Sequence, residues 1–109
     1  MRDFVELGST PCEEDCVQVD PEKEYLGPMR EECLRFMDLI RKKLGPDPEG
    51  ARLGIKRNPH DFGPYLDVVC YYDDEDEGAR RYAYLCEAQA PRTWADDKPI
   101  VKLAAEEAA

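Results

Sequence analysis

The sequence predicts a small α+β protein: two helices packed on a mainly antiparallel sheet of three to four strands. Two segments repeat apolar residues at spacings of three and four, which is typical of amphipathic helices. Two others alternate or concentrate β-branched and aromatic residues, which is typical of strands. The predicted order is β-α-β-β-α, with or without a final strand.

The first strand has two candidates. Residues 3–7 (DFVEL) alternate weakly, and residues 16–20 (CVQVD) place Val17 and Val19 on one face. The intervening segment, GSTPCEEDC, is typical of a loop because it is rich in Gly, Ser and Pro. The pattern does not say which candidate is the first strand.

The first helix is predicted over residues 29–44. Glu31 and Glu32 lie in its first turn and three basic residues lie in its last, which suits the helix dipole. Gly45 and Pro46 end it. Its apolar stripe consists of Met29, Cys33, Phe36, Met37, Ile40 and Leu44.

Two strands follow. Residues 51–57 (ARLGIKR) alternate, with Leu53 and Ile55 facing inward. Residues 65–73 (YLDVVCYYD) are apolar on both faces, which predicts a central strand. One face of that strand carries Leu66, Val68, Cys70 and Tyr72, and the other carries Tyr65, Asp67, Val69 and Tyr71.

The second helix is predicted from the acidic run at residues 73–77 to Pro91, with Asp73 or Asp74 as its cap. Its inward stripe consists of Ala79, Tyr82, Ala83, Cys86 and Ala90. Residues 98–104 (KPIVKLA) are the candidate final strand. The complete order is that of a split β-α-β, ferredoxin-like arrangement.

Length and composition predict a single domain over residues 1–109, with residues 1–15 and 104–109 poorly ordered. The net charge of −10 disfavours nucleic-acid binding, although residues 29–64 carry eight basic and six acidic side chains. The chain lacks a recognisable signal peptide and any apolar run of membrane-spanning length. These observations predict a cytoplasmic protein that does not bind membranes and has reduced cysteines.

The only histidine lies in the segment NPHDFGP. His60 has the pKa range of a general base or a metal ligand, but its neighbours are those of a turn between strands. Cys12 and Cys16 are separated by three residues, whereas zinc sites commonly separate their paired cysteines by two. The sequence therefore predicts no set of catalytic residues, no metal and no cofactor. These predictions favour a protein that is not an enzyme.

The function that fits these observations is binding to a protein partner or to a second copy. The candidate contact residues are Arg52, Lys56, His60, Phe62, Tyr65, Val69 and Tyr71. Three alternatives stay open. They are single-stranded nucleic-acid binding by a basic and aromatic sheet face, acidic mimicry of nucleic acid toward a basic protein, and an enzyme or metal site around His60 with Cys12 and Cys16.

Overall fold

A computed structural model describes residues 3–11, 27, 29–58, 65–90 and 99–108. These residues form three strands and three helices, which confirms the α+β class. The elements in chain order are β1 (Asp3–Pro11), α1 (Arg30–Leu44), β2 (Ala51–Asn58), β3 (Tyr65–Tyr72), α2 (Glu77–Gln89) and α3 (Ile100–Ala108).

The sheet is antiparallel and has the order β1-β3-β2. Strand β3 is central, as its two apolar faces predict. Tyr71 of β3 lies opposite Phe4 of β1 and Arg52 of β2, so the three side chains share one face of the sheet. The register of β1 shifts between Glu6 and Gly8, which inserts Leu7 as an extra residue.

The hydrophobic core lies on one face of the sheet, here named the inner face. It combines strand residues with the stripes of the helices, including Phe36 of α1, Ala83 of α2 and Val101 of α3. Gly8 permits close packing, because a Cβ there would lie 3.2 Å from Cζ of Phe36. The strand residues of the inner face are Val5, Leu7, Ala51, Leu53, Ile55, Leu66, Val68, Cys70 and Tyr72.

A polar network joins the loop after α1 to β2 and α2. The Arg41 guanidinium donates to both carboxylate oxygens of Asp47, at 3.1 and 3.0 Å. The Leu53 N–H and the Tyr82 hydroxyl also donate to Asp47, each at 3.1 Å. Burial alone would raise the pKa of Asp47, but these hydrogen bonds, led by that of Arg41, lower it. Asp47 is therefore held as a carboxylate that fixes the loop.

The predicted final strand at residues 98–104 is wrong, and so is the count of two helices. Residues Ile100–Ala108 form α3, which packs against α1 and β1. Ile100, Val101 and Ala104 are buried, and this spacing of one and four residues is helical. The segment is short enough for its apolar residues to fit either pattern, and contact with α1 favours the helix.

One further difference concerns the start of α2. Helix α2 is capped by Asp76, whose carboxylate accepts the Ala79 N–H at 3.1 Å, rather than by Asp73 or Asp74. Asp73 instead accepts the Glu75 N–H within the preceding turn. Residues 3–7, the first of the two candidates for the first strand, lie in β1. The strand candidate at residues 16–20 lies outside the described residues.

Candidate interaction surface on the outer sheet face

The sheet face opposite the helices is here named the outer face. Side chains alternate between faces along a strand, and directly paired residues share a face. The register therefore places four rows on the outer face: Phe4, Tyr71 and Arg52; Glu6, Val69 and Gly54; Ser9, Asp67 and Lys56; Pro11, Tyr65 and Asn58. Tyr65 lies in the fourth row, at the start of β3.

Two aromatic rings and two cationic side chains contact one another on this face. The rings of Phe4 and Tyr71 meet edge to face, with centroids 6.2 Å apart. The Arg52 guanidinium lies 5.2 Å from the centroid of Tyr71, and Nζ of Lys56 lies 3.7 Å from that of Phe4. These distances are within the range of cation–π attraction.

Lys56 spans the width of the sheet. It lies opposite Asp67, whereas Phe4, which its ammonium contacts, lies on the far strand and opposite Tyr71. The lysine stem therefore crosses β3 diagonally at the level of Val69. Lysine often covers apolar surface in this way while keeping its ammonium at the edge.

The centre of the outer face is buried, and this includes Asp67, which is 3% exposed. Val69 is 0% exposed, Tyr71 is half-buried, and Phe4 is 38% exposed. The Tyr71 ring lies over Gly54, where an added Cβ would come within 2.8 Å of its Cε2 atom. Val69 is thus not an exposed contact residue. The accessible surface is instead made of ring edges and charged ends.

Charges of opposite sign flank the central strand. Exposed Glu6 lies on β1, while exposed Arg52 and half-buried Lys56 lie on β2. Within the described residues, none of these three side chains is part of an ion pair. Glu6 and Arg52 therefore present exposed charges of opposite sign on the two outer strands, while the Lys56 ammonium lies over Phe4 on the strand that carries Glu6.

Five predicted contact residues lie on this one face: Arg52, Lys56, Tyr65, Val69 and Tyr71. The other two, His60 and Phe62, lie outside the described residues. Sequence reasoning missed Phe4 and Glu6 as members of the surface. The weak alternation of residues 3–7 was the signal that could have placed them there.

The described cysteines are structural. Cys33, Cys70 and Cys86 are buried, free thiols. Burial raises the pKa of Cys33 to about 12, and a hydrogen bond with Cys86 together with burial raises that of Cys70. Thiols with raised pKa values are poor nucleophiles. The hydrogen bond with Cys70 instead lowers the pKa of Cys86, but this thiol is 0% exposed. The described residues contain no group of three or more His, Cys, Asp or Glu side chains that could hold a metal ion; Cys12 and Cys16 are outside them.

A second surface feature lies on α2. It is a shallow depression of about 370 Å³ lined by Glu77, Arg80, Arg81, Tyr84 and Leu85. All five residues belong to one helix. Polar groups from other elements do not converge on it within the part of the chain that the structure describes, so it lacks the form of a ligand site.

Comparisons with known proteins give no relative: no protein-family model, no curated protein and no solved structure matches the chain. Among the described helices, none combines the length and apolar character that crossing a bilayer requires.

Proposed function

We propose that this protein is a binding module that recognises another protein surface through the outer sheet face. The observation that carries the proposal is the row formed by Phe4, Tyr71 and Arg52 at one end of the outer face. The helical residues of the core cluster pack on the inner face, while Phe4 and Arg52 on the outer face are exposed and lie on either side of Tyr71. Exposed aromatic and arginine side chains in one row are the residue types that a protein partner contacts.

The residue types support a protein partner. Aromatic side chains and arginine are enriched in protein interfaces and supply most of their hot spots. Here Phe4, Tyr71 and Arg52 form one continuous row across three strands. Burying the partly exposed ring of Phe4 would add apolar contact area, and the charged ends would determine orientation.

Two finer assignments belong to the same proposal. The strand order β1-β3-β2 and the element order β-α-β-β-α support a ferredoxin-like split β-α-β core, to which α3 is an addition. Three free, buried cysteines support a reducing, cytoplasmic setting.

Site-specific photo-crosslinking tests the proposal. A photoreactive phenylalanine analogue replaces Phe4 on the outer face, and in a matched control it replaces exposed Arg81 on α2. Irradiation in the expressing cells is expected to give a discrete adduct from position 4 that Arg52→Ala removes. Absence of an adduct at position 4, or the same adducts at both positions, would contradict the proposal.

A single-stranded nucleic acid is the second candidate partner. The observation in its favour is the pair formed by Phe4 and Tyr71, since adjacent rings flanked by cations can stack bases and contact phosphates. Against it stand the net charge of −10 and the cations already in contact with both rings. Titration of labelled single strands at low salt decides it, and no change in anisotropy up to millimolar protein excludes it.

A further inference from the structure

We infer that Cys70 of β3 and Cys86 of α2 are a site of reversible oxidation, at which hydrogen peroxide joins the two sulfur atoms in a disulfide. The side chains of these two residues are hydrogen-bonded to each other in the core. Both thiols are free and buried in the structure. The inference goes beyond the proposed function, because it concerns the inner face of the sheet and needs no protein partner.

The sheet and the helix each bring one thiol to this contact. Cys70 lies on the inner face, in the row that contains Leu53. Cys86 belongs to the buried stripe of α2, which also contains Ala79 and Ala83. A helix approaches its neighbours more closely where the side chains between them are small. Close approach is what a disulfide needs, since its two Cα atoms are only about 4.4 to 6.8 Å apart.

The position of α2 over this row is fixed by a neighbouring side chain. Tyr82 lies one turn before Cys86, and its hydroxyl donates to Asp47 at 3.1 Å. Asp47 also accepts the Leu53 N–H at 3.1 Å, and Leu53 pairs with Cys70 in the sheet. The buried stripe of α2 is therefore held at the level of the row that contains Cys70. The contact between the two thiols is a consequence of this packing.

The chemistry starts at Cys86. The hydrogen bond with Cys70 lowers the pKa of the Cys86 thiol, whereas the pKa of Cys70 is raised. The Cys86 thiolate attacks one oxygen of hydrogen peroxide, the O–O bond breaks, and the second oxygen leaves as hydroxide that takes up the thiol proton to form water. Cys86 is then a sulfenic acid.

The second step forms the disulfide. The Cys70 sulfur attacks the sulfenic sulfur of Cys86, the S–S bond forms and the S–O bond breaks. The hydroxyl group leaves as a second water with the proton of Cys70. Each thiol has then lost one hydrogen and one electron, and one hydrogen peroxide has been reduced to two waters. A dithiol reductant reverses the reaction by thiol–disulfide exchange.

Access to the pair depends on the end of α2. Cys86 is 0% exposed, so peroxide does not reach it in the closed structure. However, Cys86 lies in the last turn of the helix, which ends at Gln89. Helix ends open locally far more often than the whole protein unfolds. Oxidation is therefore slow in comparison with that of an exposed thiol, and its rate follows the opening of this turn.

The disulfide changes the properties of the helix that it holds. It joins the last turn of α2 to the central strand and so prevents the opening that admits peroxide. It closes a loop of about 15 residues, a constraint that removes conformational freedom mainly from the unfolded chain. The oxidised protein is therefore expected to melt about 10 °C higher than the reduced one. Amide hydrogen exchange in residues 86–89 is expected to slow as well.

Peptide mapping of the oxidised full chain tests the inference. The folded protein is treated with hydrogen peroxide, free thiols are blocked with N-ethylmaleimide, and the peptides are identified by mass spectrometry. We expect a linked peptide pair that contains Cys70 and Cys86, which dithiothreitol separates. Cys33→Ser is the matched control and leaves the link unchanged. A variant with Cys12→Ser and Cys16→Ser is expected to form the same link, since these thiols take no part in it.

Two serine variants distinguish the roles of the pair. Cys70→Ser leaves the attacking thiol without its partner, so dimedone is expected to trap a sulfenic acid at Cys86. Cys86→Ser removes the attacking thiol, so dimedone labelling at Cys70 is expected to be absent. Circular dichroism verifies that each variant is folded. Because the unchanged chain is also measured, a variant that fails to fold leaves the link itself fully tested.

Three results would overturn the inference. The first is a folded chain in which both thiols are recovered unlinked after peroxide treatment. The second is a link between Cys70 and Cys86 that forms only in urea, because that reaction belongs to the unfolded chain. The third is a linked protein that melts at or below the temperature of the reduced one, which would show that the disulfide distorts the packing of α2 rather than fixing it.

Discussion

Val68 and Val69 are adjacent on β3 and both are 0% exposed, yet different structures cover them. Val68 belongs to the inner face, beneath the helices. Val69 belongs to the outer face, where the Tyr71 ring and the crossing stem of Lys56 lie. Two side chains with the same exposed fraction can therefore have surroundings that differ in rigidity. Helices that pack on a sheet are fixed by many contacts, whereas Tyr71 and Lys56 are single side chains that can change rotamer.

The largest expected difference between the two faces is at their phenylalanines. Phe36 of α1 is 1% exposed and touches the sheet at Gly8, whereas Phe4 of β1 is 38% exposed. Phe36→Ala is expected to lower the free energy of unfolding by about 4 kcal/mol, because it leaves a cavity in close-packed surroundings. Phe4→Ala is expected to lower it by about 1 kcal/mol. Urea unfolding at low micromolar concentration measures both; equal losses would show that the outer face is as constrained as the inner.

The next effect concerns the network at Asp47. Asp47→Asn weakens its charge-assisted hydrogen bonds to Arg41, Leu53 and Tyr82, with an expected loss of about 2 kcal/mol at neutral pH. The folded-state pKa of Asp47 is lowered, so its stabilising effect is complete above the unfolded pKa of about 3.9. That effect disappears as the pH falls through the folded pKa.

The measurement is the difference in unfolding free energy between the unchanged chain and Asp47→Asn, taken at neutral pH and at successively lower pH. The difference is expected to narrow below about pH 4. Glu49→Gln is the control, because Glu49 lies in the same loop, is exposed and has none of these bonds. A difference that stays constant with pH would show that the carboxylate charge does not stabilise the loop.

The two valines test the comparison directly. Val68→Ala and Val69→Ala remove the same two methyl groups from sites of equal exposure. We expect a loss of about 2 kcal/mol at Val68 and about 1 kcal/mol at Val69, because Lys56 and Tyr71 can settle into the space while the helices cannot. Thermal and urea unfolding give both values. A larger loss at Val69 would mean that the outer covering is the more rigid one.

The sequence predicts the elements that depend on local periodicity, but not those that depend on contacts between distant residues. Helix α1, helix α2 and strands β2 and β3 follow from local periodicity, which a single sequence displays. The segment that forms α3 is short and its apolar spacing fits two structures, so packing against α1 decided it. The contacts of Phe4 with Lys56 and Tyr71 join residues far apart in the chain. They depend on strand register, and sequence periodicity does not determine which strands pair.

The smallest expected effect separates the charge of Lys56 from its stem. Lys56→Met keeps a long apolar side chain across β3 but removes the ammonium that lies over Phe4, so the expected loss is about 0.5 kcal/mol. Lys56→Ala removes the stem as well and leaves Val69 partly uncovered, so the expected loss is about 1 kcal/mol larger. Urea unfolding at low micromolar concentration keeps self-association out of both values. Equal losses for the two variants would show that the cation alone stabilises the outer face. A larger loss for Lys56→Ala would show that the outer face is closed mainly by apolar cover, which a partner can replace.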